Sequence, residues 1–318
     1  MKSAFLFGGT ADLLAFVQPS ALVDYQFRLQ GTLTNYGTLG GTLPHTRSGN
    51  GTFIGSNGLS QTAGTNVARF DFDPVSLGRR GLLFEGQATN LLRNSSDFAN
   101  STYWTRGFTP ITDNVTSIDG TTNADTLPFS QTGAVQSGAQ IYQKTTGLTV
   151  STSYVASVYL KEVTPGFKLK ISRTNGSTWT GATVSSEITL SGSWVRYSIQ
   201  FTAGASETVS DFAIGSENRT PYSLPATGSA AADRAQLETG TVPSSHIPTT
   251  TAAATRFADA ASLTGLPTTN VTLVEKPAGC ATLSAGTLTL NPGYTIDRIM
   301  VLPGTYSADQ IATIRGLM

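Results

Sequence analysis

The chain has 318 residues with 20 basic and 20 acidic side chains, so its formal charge is zero, and only 13% of residues are charged. Ser and Thr fill the gap at roughly a quarter of the chain, and with no basic block there is no counterion-release term to drive nucleic-acid binding. The single cysteine, Cys280, excludes an intrachain disulfide and has no CxxC partner for structural zinc; no run approaches the ~18 apolar residues of a membrane span, so a soluble chain without membrane insertion is expected.

Met1–Phe7 has the charged and apolar regions of a leader, but Gly8-Gly9 and Asp12 break the run and no small-residue cleavage site follows. The expectation is an apolar segment over residues 4–17 that docks on a neighbouring subunit or packs on its own domain. Residues 20–90 are turn-rich, with Gly40-Gly41, Ser48-Gly49-Asn50-Gly51 and Asn57-Gly58 closing short hairpins. Leu82-Leu83-Phe84 and Leu91-Leu92 read as core strands leading into a sandwich. The clearest strands follow, at Ile141–Thr145 and at Tyr154–Lys161, the second apolar on both faces as a central strand would be. Phe167, Leu169 and Ile171 alternate with Lys168, Lys170 and Ser172, and Val195, Tyr197, Ile199 and Phe201 with Arg196, Ser198 and Gln200, giving each strand one buried and one solvated face. Further strands are expected at Val184–Leu190, Val209–Ile214 and Ala231–Glu238, with a hairpin turn at Asn175-Gly176. Pro243–Pro248 and Thr249–Thr255 read as a linker. The last sixty or so residues yield two or three strands, including Ile296–Leu302, then a helix opened by a Ser307/Gln310 capping box, with Ile311 and Ile314 inward and Gly316 ending it.

The fold class is therefore all-β: a central antiparallel jelly-roll sandwich, a turn-rich N-terminal β region, and a small C-terminal β module ending in a short helix. Three domains are expected: an anchoring segment and hairpin region over 1–90, the jelly roll over 91–248, and the linker with its β module over 249–318.

Two stretches are more specific. The run Arg69-Phe70-Asp71-Phe72-Asp73-Pro74, then Arg80-Gly81-Leu82-Leu83-Phe84-Glu85, then Thr89–Ser95 with Phe98 and Trp104, resembles a module of tailed-phage and prophage virion proteins of tail-fibre, baseplate or head-fibre type. So do Gln236-Leu237-Glu238-Thr239-Gly240, Pro243–Thr249 and Arg256. The resemblance covers about residues 45–260. It implies a virion-surface protein carrying a jelly roll like those of carbohydrate-binding modules, with other virion proteins as partners, a homo-oligomeric state with trimers favoured, and host-surface polysaccharide as a further partner. Such jelly rolls often hold a structural calcium between first and last strands. Asp97 and Asp233 match those positions, but Ala99 stands where an acidic residue is usual.

No enzyme is recognisable. His45 and His246 are the only histidines, neither lies beside a Gly-x-Ser-x-Gly elbow, and there is no phosphate loop or dinucleotide fingerprint. Asp71 and Asp73 share a strand face, an arrangement that two carboxylates of a glycosidase could use, but they read better as acceptors for turn amides or partners of Arg69 and Arg79. Glycan binding needs aromatic rings beside polar side chains. Trp179 in its polar loop, Tyr222 between Pro221 and Pro225, and Tyr103 are the candidates; Trp104 and Trp194 read as core. The leading expectation is a non-enzymatic virion structural protein contributing to host attachment. The alternatives are an accessory carbohydrate-binding domain of a secreted polysaccharide-active system and a purely architectural decoration protein.

Overall fold

The computed structural model describes residues 18–107, 110–130, 140–175, 183–215 and 227–318. The proposed anchor at 4–17 and the turn at Gly176 lie outside them. The chain divides into two compact units, one made of residues 1–87 with 256–318 and the other of 88–255.

The second unit is a two-sheet sandwich. One sheet orders Val195–Thr202, Ser153–Glu162, Gly228–Thr239, Ala124–Phe129 and Ile111–Val115; the other orders Thr183–Val184, Lys168–Thr174, Val209–Gly215, Gln140–Thr146 and Trp104–Arg106. From Ala124 onward each long strand crosses to the opposite sheet, and the neighbours pair antiparallel. Such alternation is two interlocked Greek keys, the jelly roll. Ser153–Glu162 is the central strand that its two apolar faces predict, flanked by Val195–Thr202 and Gly228–Thr239. Leu169 and Ile171 point into the core, as do Ile199 and Phe201. Stacked pairs Phe129/Phe167 and Tyr154/Phe201, with centroids 5.5 and 5.7 Å apart, each add about 0.5–1.5 kcal/mol beyond burial. The expected strand Val184–Leu190 is instead two short ones, Thr183–Val184 and Ile188–Thr189, pairing with different parts of Lys168–Thr174.

The first unit joins both ends of the chain. Val23–Tyr25 pairs with Arg298–Pro303, which also pairs with Val271–Lys276; Tyr294–Ile296 pairs with Arg79–Phe84; His45-Thr46 pairs with Ala260–Leu263. Here the expected three-domain division is corrected. The N-terminal hairpin region and the C-terminal module share one core, including Val23, Phe27, Phe84, Leu288, Ile299 and Val301, because strands this short cannot bury an apolar face without partners. Leu82 and Phe84 accordingly belong to this core rather than to the sandwich, whereas Leu92 lies in the sandwich. The hairpin Gly51–Ile54/Ser60–Ala63 turns through Gly58 at φ +76°, in the left-handed region glycine favours. Gly81 has a stricter reason: at φ +136° its place would put a Cβ 2.2 Å from the Ile296 carbonyl oxygen.

Two further expectations change. The stretch 249–255 is not a free linker: the Asn94 amide donates to the Thr250 carbonyl at 2.7 Å and the Ser95 amide to the Thr249 hydroxyl at 3.2 Å. The last helix, Ala308–Leu317, has both capping-box bonds between Ser307 and Gln310 but runs through Gly316. One glycine costs about 1 kcal/mol relative to alanine and does not stop a helix by itself.

Candidate functional site

The residues behind the recurrent pattern are mostly buried polar anchors. In the first unit, Asp259 Oδ1 accepts from Arg47 Nη1 at 2.9 Å and Oδ2 from Arg69 Nη2 at 2.6 Å. The Glu85 amide donates to Oδ2 at 2.8 Å and His45 Nε2 lies 3.3 Å from Oδ1. Burial disfavours the Asp259 carboxylate, yet the His45 contact, the Arg69 charge, the Glu85 amide and Arg47 together hold its pKa well below the ordinary value. Arg69 also donates to Glu85 at 2.6 Å.

The paired carboxylates serve turns. Asp71 accepts from the Ile54 amide at 2.8 Å, and Asp73 accepts from the Val75 and Ser76 amides and from Arg80 at 2.7 Å. Their arginine partner is Arg80, also 3.6 Å from Asp71, rather than the expected Arg69 or Arg79.

In the sandwich unit, Asn90 Nδ2 donates to the Ala235 and Ile247 carbonyls at 3.0 Å each, while Oδ1 accepts from the Leu92 and Leu237 amides. Glu238 accepts from Gln236 Nε2 and from the amide and hydroxyl of Ser244. Arg196 reaches both the Ser157 hydroxyl and the Ser244 carbonyl. His246 Nε2 lies 3.2 Å from the Ser95 hydroxyl, both residues buried. Burial first, then the Arg234 and Arg196 charges, push His246 well below its usual pKa. The segment Ser244–Thr249 is therefore a strap bound to its sheet, and its Ser–His contact is sealed from substrate.

An open cleft lies elsewhere on the same unit. It is about 550 Å³, and its lining includes Arg93, Tyr103, Thr105, Lys144, Thr145 and Thr146. Among the described residues strand Trp104–Arg106 pairs only with Ile141–Gln143, so the cleft opens where Trp104–Arg106 ends, beside Lys144–Thr146. Alternation along Gln140–Thr146 buries Ile141, Gln143 and Thr145 and exposes Lys144 and Thr146. Thr145 Oγ1 is buried with no hydrogen-bond partner among the described residues. Gln143 pins the opposite wall: its Oε1 accepts from the Arg93 amide at 2.6 Å and its Nε2 donates to the Arg93 carbonyl at 2.8 Å.

Of the sequence-derived candidates, the structure places Tyr103 in this cleft, half-buried; Trp179 and Tyr222 lie outside the described residues. Trp104 is core, with its indole N–H donating to the Asn94 carbonyl at 3.0 Å. Trp194 is only half-buried, bonded through Nε1 to the Thr116 carbonyl at 2.9 Å, contrary to its expected core role. Sequence reasoning missed Arg93 and Lys144. The available signal was a lone arginine following Leu91-Leu92 and a lysine on an alternating strand.

The residues do not fit a calcium site. Asp97 is exposed, while Asp233 is buried, its Oδ2 bound by the Ser117 hydroxyl and 3.3 Å from Arg234 Nε. Arg234 also donates to Asp119 at 2.7 Å, so Asp233 is already paired with a guanidinium that it shares with Asp119. Among the described residues no group of three or more His, Cys, Asp or Glu side chains could hold a metal.

No family model matches the sequence, and no curated protein matches it. Among solved structures it is similar to the enzymatically active domain of bacteriophage CBA120 tailspike protein 4, at 13% identity and TM-score 0.36, over 48% of this chain and 21% of that one. The match thus spans about a fifth of the tailspike chain. It is also similar to a CBM4 structure, at 16% identity and TM-score 0.32 over 46% of this chain and 94% of that one. A third likeness is to the CBM22-1 xylan-binding domain of Paenibacillus barcinonensis Xyn10C, at 13% identity and TM-score 0.33, over 48% and 96% of the respective chains. The strand order, independent of these likenesses, makes the second unit a jelly roll.

Proposed function

We infer that this chain is a non-enzymatic glycan-adhesion protein of a tailed-phage particle, contacting host polysaccharide through its jelly-roll unit. The observation that carries the sugar-binding role is the open cleft, where threonine hydroxyls, Arg93 and Lys144 surround a half-buried tyrosine. Such a cluster of polar donors in an open cleft suits a polyhydroxylated ligand. The non-enzymatic part is supported by the commitment of both histidines and of the Asp71/Asp73 pair to structural contacts. Placement on a virion is supported by the two-ended sequence resemblance. An open, shallow site binds weakly alone, so adhesion depends on many copies, supplied by an oligomer, trimeric for preference, repeated over the particle.

The test is retention of the full chain on immobilised polysaccharides, beside Thr146→Trp. Thr146 is exposed on the cleft wall, so a large ring there fills the site without entering the core. Retention by the native chain and its loss in the variant, with an unchanged melting curve, is the expected result. Equal retention by both would remove the cleft from the account. Detection of the protein in purified particles addresses its location; glycan binding by a protein absent from particles would mark an accessory module of a secreted polysaccharide-active system instead.

A further inference from the structure

Tyr103 does not offer its ring as a flat platform for a sugar. The Arg93 guanidinium lies over it, 5.6 Å from the ring centroid, the side chain packs against the sandwich core, and its hydroxyl donates to the Thr251 carbonyl at 3.2 Å. What this wall presents is a guanidinium backed by an aromatic face. That arrangement orients a planar fork of donors whose geometry matches a carboxylate or phosphate, and it reduces the rotamer freedom lost on binding. The Arg93 backbone is held as well, by the two bonds to the Gln143 amide.

Among the described residues, charge in the cleft has one sign: the lining contains Arg93 and Lys144 but no Asp or Glu. Lys144 stands opposite Asp211 on the neighbouring strand; burial raises the Asp211 pKa while Lys144 pulls it down, so part of the lysine's charge is already answered. Arg93 is exposed and has no carboxylate among the residues lining the cleft. A neutral sugar, with hydroxyls alone, leaves that charge unmatched.

We propose that the cleft selects acidic glycans, the Arg93 fork pairing with a sugar-borne carboxylate or phosphate while Lys144 and the hydroxyls of Thr102, Thr105 and Thr146 contact adjoining hydroxyls. The selectivity rests on the reading that this cleft binds glycan at all, and the experiment separates the two. The full chain is passed over immobilised polygalacturonate, a ribitol-phosphate polymer and amylose, beside Arg93→Ala, Arg93→Lys and Lys161→Ala. Lys161 lies on Ser153–Glu162 in the other sheet and serves as the charge control.

Retention on one or both anionic polymers, at least about tenfold stronger than on amylose and weakening as salt rises, is expected. The polymer retained identifies carboxylate or phosphate as the source. Arg93→Ala should lose about tenfold or more, Arg93→Lys should recover only part because an ammonium lacks the planar fork, and Lys161→Ala should match the native chain. Arg93→Gln replaces Arg93→Ala if the latter melts early. Amylose retained as well as the anionic polymers, with Arg93→Ala unaffected, would overturn the selectivity and leave glycan binding standing. Equal losses in Arg93→Ala and Lys161→Ala would reduce the effect to general charge attraction and overturn the site. Failure of the native chain to retain any polymer would overturn glycan binding itself.

Discussion

Asp259→Asn is the most informative perturbation of the first unit. The native carboxylate is fully buried and answers two buried guanidiniums, Arg47 at 2.9 Å and Arg69 at 2.6 Å. Arg69 keeps Glu85 at 2.6 Å, but among the described residues Arg47 is left with only the carbonyls of Gly49, Ala63 and Gly64. An asparagine has the same shape, yet one of its terminal atoms becomes an N–H₂ facing a donor. Removing one partner of a buried ion pair costs about 3–5 kcal/mol, because the remaining charge stays desolvated. At about 2–4 °C per kcal/mol for a chain segment of this size, the melting transition should fall by roughly 6–20 °C. Calorimetry of the full chain reads this, with Asp73→Asn as the comparison: the Asp73–Arg80 pair is solvent-exposed, so its loss should leave the transition nearly in place. The folded-state pKa of Asp259 is depressed, so its contribution is fully present above the unfolded-state value of about 4 and is lost only as pH falls below it. A variant that melts within about 1 kcal/mol of the native chain at pH 7 would refute the assignment of Asp259 as the neutralising centre of the cluster.

Asn90→Asp should destabilise the sandwich unit by at least about 3 kcal/mol at pH 7 in urea unfolding, since a carboxylate oxygen would replace the donor to two carbonyls; a loss under about 1 kcal/mol would contradict the fourfold bonding of Asn90. Asp125 is buried with a pKa raised to about 6. Its neutral form is favoured by the fold, so it stabilises below about pH 4 relative to pH 7, and that contribution is lost as pH rises from 4 through 6. Asp125→Asn should therefore gain stability on the native chain as pH rises from 4 to 7; parallel stability curves for the two proteins would show that Asp125 titrates normally.

Much of the sandwich was legible because strand periodicity is local. The alternation over residues 199–202 and the double apolar face of 154–161 follow from side-chain chemistry at a spacing of two, whatever the strand pairs with, although Val195, expected on the buried face, is exposed. The capping box at Ser307 is likewise a three-residue signal, and the lone cysteine and neutral charge are composition alone. Pairing is not local. Nothing near Val23 announces that its partner is Val301, so the ends read as separate domains, and Thr249–Thr255 read as a linker because small polar residues conceal the backbone bonds to Asn94 and Ser95. The site divides in the same way. Tyr103 could be singled out by residue type, whereas Arg93, Tyr103 and Lys144 form one cleft only because strand register and the end of Trp104–Arg106 bring three distant segments together. Covering the ring with Arg93 was decided by tertiary packing alone: cation–π contact depends on distance through space, and sequence separation carries no record of it.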